Sequence, residues 1–286
     1  MMVLVQKAEG VYNLSVHEGN KHMTMEVDIL ELSDRSAKFV LSNTTAAFAN
    51  GIRRAALADV PTIAITEVNI YNNTSVLYDE QLGLRLALIP LTSNLEDFVP
   101  KDECTCGDFC PACQVSLTLS AEGPRIVYSR DLVSSDDKVQ AADPNIPIAD
   151  LREGQKIVLE AIAQMGYGSK HSRWQAGVAC GYKNMPKIEF NGCDQCGACI
   201  SECPVDIIKM GTNSAEVSQE DMLKCTLCRL CEGICDIDAI DIKIDEHSFI
   251  FTMESDGSYI MKELIINAAN IIKGKATNLA MILSAL

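Results

Sequence analysis

Two segments decide the reading of this chain: CDQCGACISECP, Cys193 to Pro204, and CTLCRLCEGICD, Cys225 to Asp236. Both follow C-x2-C-x2-C-x3-C and repeat 32 residues apart, Cys193 to Cys225, at all four cysteines. The sequence holds 13 cysteines. All but Cys180 fall into three groups of four, Cys104 to Cys113, Cys193 to Cys203 and Cys225 to Cys235. The start, MMVLVQKAEGVYNL, lacks the long apolar region and small-residue cleavage site of a secretion signal, so a cytoplasmic, reducing location is expected. There, grouped cysteines are metal ligands or buried thiols rather than disulfides. Cys180, between Ala179 and Gly181, is expected to be a small buried apolar residue.

Three closely spaced thiolates can wrap one face of an iron-sulfur cubane before the chain turns away, and the fourth cysteine of such a run ligates the other cluster. The rule assigns Cys193, Cys196, Cys199 and Cys235 to one 4Fe-4S cluster, and Cys225, Cys228, Cys231 and Cys203 to a second, in a ferredoxin-like module. Gly192, Gly197 and Gly233 are expected to let backbone amides approach the clusters. Pro204 follows the first run and Asp236 the second, which suggests a less rigid second turn. Zinc in two four-cysteine sites is the alternative, although zinc motifs usually separate their C-x2-C pairs by a longer loop. Alternating Lys187–Phe190 and Ala239–Ile244 predict edge strands closing a module inserted in a larger protein.

The larger protein reads as an ordinary globular chain of 286 residues, 48% hydrophobic and 22% charged. Its formal charge of -15 disfavours broad contact with nucleic acid or anionic lipid. Met23, Met25, Val27 and Ile29 alternate with polar residues as a half-buried strand, and a second strand is expected over 37–41. Ser42, Asn43 and Thr44 offer helix caps. Phe48, Ile52 and Ala55 then recur at helical spacing up to Pro61, on a helix carrying Arg53 and Arg54. TIAITEVNIY beyond Pro61 alternates again as a strand. From Glu263 to Leu286 apolar residues are interrupted by Asn267, Asn270, Lys273, Lys275 and Asn278, so the segment predicts an amphipathic helix and no membrane span. Ile265, Ala268, Ile272, Ala276, Leu279, Leu283 and Leu286 form its apolar stripe, suited to a partner helix.

The run GIRRAALADVPTIAITEVNIYNNTSVLYDEQLGLRLALIPL, Gly51 to Leu91, resembles the signature of an RNA polymerase family that comprises the archaeal D-type chain, the eukaryotic third-largest polymerase subunit and, more distantly, the bacterial alpha subunit. KHSRWQAGVACGY, Lys170 to Tyr182, and FIFTMESDGSYIMKELIINAANII, Phe249 to Ile272, resemble further segments of that family, whose archaeal branch carries an inserted ferredoxin-like domain. The resemblance implies an α+β chain. A discontinuous dimerisation domain would take 1–60, 176–187 and 241–286, a middle domain 61–175, and the 4Fe-4S domain 188–240. It also implies pairing with a small subunit, L, and a platform for subunits N and P and the large catalytic subunits. Arg53 and Arg54 would face a large subunit, or else form a solvated basic face.

A third site is expected in CTCGDFCPAC. Cys104, Cys106, Cys110 and Cys113 would repel as thiolates unless a cation neutralised them, and zinc fits four sulfur ligands with a structural role. A vacant loop or a labile disulfide is the alternative; in general form the loop resembles the zinc loop of the eukaryotic third-largest subunit. His17, His22, His171 and His247 form no ligand pattern. No phosphate loop or nucleophile motif appears, so no catalytic residue is expected. The function implied is a non-catalytic assembly subunit of DNA-directed RNA polymerase. The rival is an electron-transfer subunit of an anaerobic oxidoreductase, which the cysteine runs favour locally but which no flavin or nicotinamide motif accompanies.

Overall fold

The structure is a computed structural model that describes residues 5–8, 11–15, 24–92, 95–107 and 109–285, and it is α+β. Met23, His17, His22 and Leu286 lie outside the described residues. Two compact units form, one from Met1–Leu30, Lys38–Ala49 and Gly181–Phe251, the other from Glu31–Ala37, Asn50–Cys180 and Thr252–Leu286.

The first unit is built on a six-stranded sheet in the order Val5–Ala8, Val11–Ser15, Thr24–Leu32, Ser36–Ser42, Ile240–Ser255, Gly177–Phe190. The alternation that predicts Thr24–Leu32 buries Met25, whereas Ile29 stays 36% exposed, so only the start of that strand is covered. Phe39 stacks on Phe251 at 5.0 Å, and Tyr182 meets Phe249 edge-on at 5.5 Å, giving the sheet an aromatic core. The two strands expected to close the cysteine module are the ends of the much longer Gly177–Phe190 and Ile240–Ser255. Most of Gly177–Phe190 is half-buried or exposed on both faces, which removes the period-two signal from its sequence. The two strands are neighbours in the sheet, and Lys243–Glu189 at 2.9 Å, Lys187–Asp245 at 3.1 Å and Asn191 N–H to Ala239 O at 2.8 Å tie them where the module begins.

The second unit holds a four-stranded antiparallel sheet in the order Pro61–Asn73, Lys156–Tyr167, Gln114–Glu122, Val133–Ser134. Ile157, Leu159, Ala161 and Ala163 alternate onto one buried face, and the helix Asp79–Ala87 lays fully buried Leu82 and Leu86 against it. The helix read from Phe48 to Pro61 is Ala46–Arg54 followed by a wide turn, Ala55–Asp59, in which Val60 N–H reaches Ala55 O at 3.1 Å. Thr45 caps it by accepting from Phe48 N–H at 3.3 Å. Asn43 instead takes a φ of 57° and donates to Thr24 O. The wide turn fits a crowded backbone: a Cβ on Gly168 would stand 2.3 Å from Leu57 O, so only glycine lets the two chains approach this closely.

The last helix, Met261–Ser284, buries Met261, Leu264 and Ala268 in its own unit. Ile265, the first residue of the predicted stripe, is half-buried. Ile272 approaches Gly51, and Lys275 pairs with Asp59 at 2.7 Å. From 273 to 285 every residue is exposed, Leu279 at 58% and Leu283 at 60%, so the predicted stripe divides into a packed first half and a bare second half. Among the described residues no helix is long and apolar enough to cross a membrane.

Candidate metal centres

The two cysteine runs adopt one backbone shape twice. Gln195, Gly197 and Asp206 have φ of 66°, 76° and 51°, and the residues 32 positions later, Leu227, Arg229 and Asp238, have 59°, 61° and 50°. Gln195 N–H donates to Cys193 Sγ and Leu227 N–H to Cys225 Sγ, both at 3.4 Å. Short helices, Ala198–Glu202 and Leu230–Gly233, then place Cys199 and Cys231 inside. After each fourth cysteine the same turn closes, Asp206 N–H to Cys203 O at 3.2 Å and Asp238 N–H to Cys235 O at 3.1 Å. The two turns thus share one shape although Pro204 stands in one and Asp236 in the other. Gly233 lies in a helical turn with no positive φ, so no left-handed backbone requires glycine there. Gly192 and Gly197 do require left-handed backbone. Arg229, in the place of Gly197, holds that conformation while its guanidinium donates to Ile242 O at 3.3 Å and pairs with Glu232.

The fold brings the cysteines together across the two runs. Cys193, Cys196, Cys199 and Cys235 line one apolar cavity with Met210, Ala239 and Ile240. Burial raises the Cys199 thiol pKa, and the charges of Cys193, Cys196 and Cys235 add to that. Burial likewise pushes Cys231 up to about 11, and there the neighbouring charges are Cys203, Cys225 and Cys228. Clustered thiols so disfavoured as anions are what a bound cation or cluster would stabilise. Ala239 N–H adds a third amide-to-sulfur bond, to Cys235 at 3.3 Å.

Cys104, Cys106, Cys110 and Cys113 differ in scale. Their sulfurs lie 3.4 to 3.5 Å apart in three of the pairs, and all four fall within 4.8 Å of one another. Among the described residues no other group of three or more His, Cys, Asp or Glu converges so tightly. Tetrahedral zinc with Zn–S of about 2.3 Å needs sulfurs about 3.8 Å apart, so this loop fits a single ion, whereas the other two quartets surround more space. Hydrogen bonding with Cys113 and Cys104 pulls the Cys110 pKa down to about 7, while hydrogen bonding with Cys104, Cys113 and Cys110 pushes the Cys106 pKa up to about 12.

Residues 68–178 match the model of the RNA polymerase Rpb3/RpoA insert domain, and residues 186–209 match that of a 4Fe-4S binding domain. The DNA-directed RNA polymerase subunit Rpo3 of Methanosarcina acetivorans is 65% identical over 266 residues, covering 92% of this chain and 100% of that protein. The chain belongs to the Rpo3 family. The Rpo3 proteins of Methanosarcina mazei, 65% identical over 92% of this chain and 100% of theirs, and of Methanothermobacter thermautotrophicus, 40% identical over 88% and 96%, agree. An oxidoreductase subunit is not favoured by these relatives.

Within this Rpo3 chain both described histidines and Arg53, among the remaining candidates, have structural partners. His247 Nδ1 meets Thr44 O at 3.1 Å, and His171 Nδ1 accepts from Arg173 N–H at 3.1 Å. Arg53 is half-buried and donates to Asn50, while Arg54 is exposed. Cys180 is half-buried rather than buried, and desolvation pushes its pKa up to about 11. The left-handed arginine of the second cysteine run is invisible to motif reading, because glycine is the residue expected in that conformation.

Proposed function

We propose that this chain is a non-catalytic assembly subunit of archaeal DNA-directed RNA polymerase in the cytoplasm. It pairs with the small subunit L and carries subunits N and P and the large catalytic subunits. The observation that carries this is the 65% identity along the whole length of an Rpo3 protein. The bare second half of the Met261–Ser284 helix supports pairing, since an apolar stripe open to water is stabilised by a partner that covers it. The dimerisation domain is assigned to 1–60, 176–187 and 241–286, the middle domain to 61–175 and the cluster domain to 188–240. Arg53 and Arg54 face a large subunit.

The metal centres belong to this reading. Cys193, Cys196, Cys199 and Cys235 hold one 4Fe-4S cluster, Cys225, Cys228, Cys231 and Cys203 the other, and Cys104, Cys106, Cys110 and Cys113 hold zinc. When bound, the clusters cross-link a module whose own apolar core is small. The three amide-to-sulfur bonds orient and stabilise the thiolates. Co-expression with subunit L followed by size-exclusion chromatography tests the pairing. A one-to-one complex is expected, and a chain that elutes alone at micromolar concentration contradicts it.

A further inference from the structure

The two cluster sites share a backbone shape but not an electrostatic setting. Lys183 stands on the Gly177–Phe190 strand, outside both cysteine runs, and turns its ammonium into the second one. Its Nζ donates to Leu223 O at 2.9 Å and to Cys225 O at 2.5 Å. The side chain is half-buried. Cys225 is itself 6% exposed and begins the run. In the first run, the residue 32 positions before Leu223 is Asn191, which is tied by its backbone N–H to Ala239 O instead. Three other groups bear on the site. Lys38, on Ser36–Ser42, opposes the charge of Lys183, and Arg229 and Glu232 pair with each other beside Ile242.

We infer that Lys183 is a positioning residue for the cluster held through Cys225, fixing its first ligand to the host sheet and placing one half-buried positive charge beside that cluster only. This rests on the two-cluster ligand assignment above. A cluster with four thiolates is net anionic, so a nearby cation in a partly desolvated place favours its more reduced form and resists loss of the ligand. The two clusters then differ in potential because of the host strand, and the Cys225 cluster is coupled to the sheet that carries the module.

The test uses the full chain, purified anaerobically in complex with its small partner. Lys183→Met keeps length and removes charge, and Lys183→Arg restores it. Reductive titration followed by electron paramagnetic resonance reads the clusters separately. Lys183→Met should shift one reduction wave to lower potential, leave the other in place, and speed iron release to a chelator several-fold for the shifted cluster. Lys183→Arg should return both properties toward wild type. If Lys183→Met purifies with half the iron, recovery of full iron by Lys183→Arg supports the inference and failure to recover it overturns it. Two unmoved waves, or equal shifts in both, also overturn it. A wild-type protein with half the expected iron overturns the two-cluster assignment, and this inference with it.

Discussion

Among single residues, the glycines of the cysteine runs separate necessity from habit. Gly197 needs φ of 76°, and an alanine there costs about 1–2 kcal/mol of left-handed strain. Gly233 has ordinary helical backbone, so alanine there carries no left-handed strain and lowers unfolded-state entropy by about 0.5 kcal/mol. Denaturant unfolding of the anaerobic protein, followed by cluster absorbance, should show Gly197→Ala below wild type and Gly233→Ala level with or above it. The reverse order would mean the two half-motifs are not shaped as described. Spacing in the sequence is enough to find all twelve grouped cysteines. It is not enough to find Arg229 or Lys183, because a left-handed arginine has no composition signal and Lys183 is distant in the chain from the cysteine it touches.

At the level of elements, the last helix carries two different jobs on one stripe. Leu264 is fully buried in its own unit, so Leu264→Ala should cost about 2–5 kcal/mol of stability whether or not a partner is present. Leu279→Asp or Leu283→Asp replaces residues that are 58% and 60% exposed, so the single chain should keep its melting temperature while pairing with subunit L is lost. Normal pairing by both aspartate variants would move the interface elsewhere. The Cys104–Cys113 loop, proposed to hold zinc, is a separate element whose following strand is anchored by Val115, Leu117 and Leu119 in the second unit's core. Removing zinc, or Cys113→Ser, should therefore expose 99–113 to protease while leaving the four-stranded sheet folded by circular dichroism. Helical and alternating periods are legible in Ala46–Arg54 and in Pro61–Asn73. They mark only the Lys187–Phe190 end of Gly177–Phe190, most of which is half-buried or exposed, and they cannot divide the last helix, since periodicity reports an apolar stripe but not what covers each half.

For the whole molecule, the cysteine module is rooted in the host sheet by two adjacent long strands rather than hung on a linker. Anaerobically purified protein should contain about eight irons, eight labile sulfides and one zinc. Replacing Cys196 and Cys228 by serine should abolish the brown absorbance and make 188–240 protease-sensitive. Pairing should survive, because the helix that offers the bare stripe belongs to the other compact unit. The family identity makes the polymerase the expected destination of all these parts, and an affinity tag on the native protein tests that most directly. Purified from anaerobic cells and quantified by mass spectrometry, it should bring down the large catalytic polymerase subunits and subunits L, N and P in near-equal amounts. Recovery of a dehydrogenase or hydrogenase in their place would contradict the account.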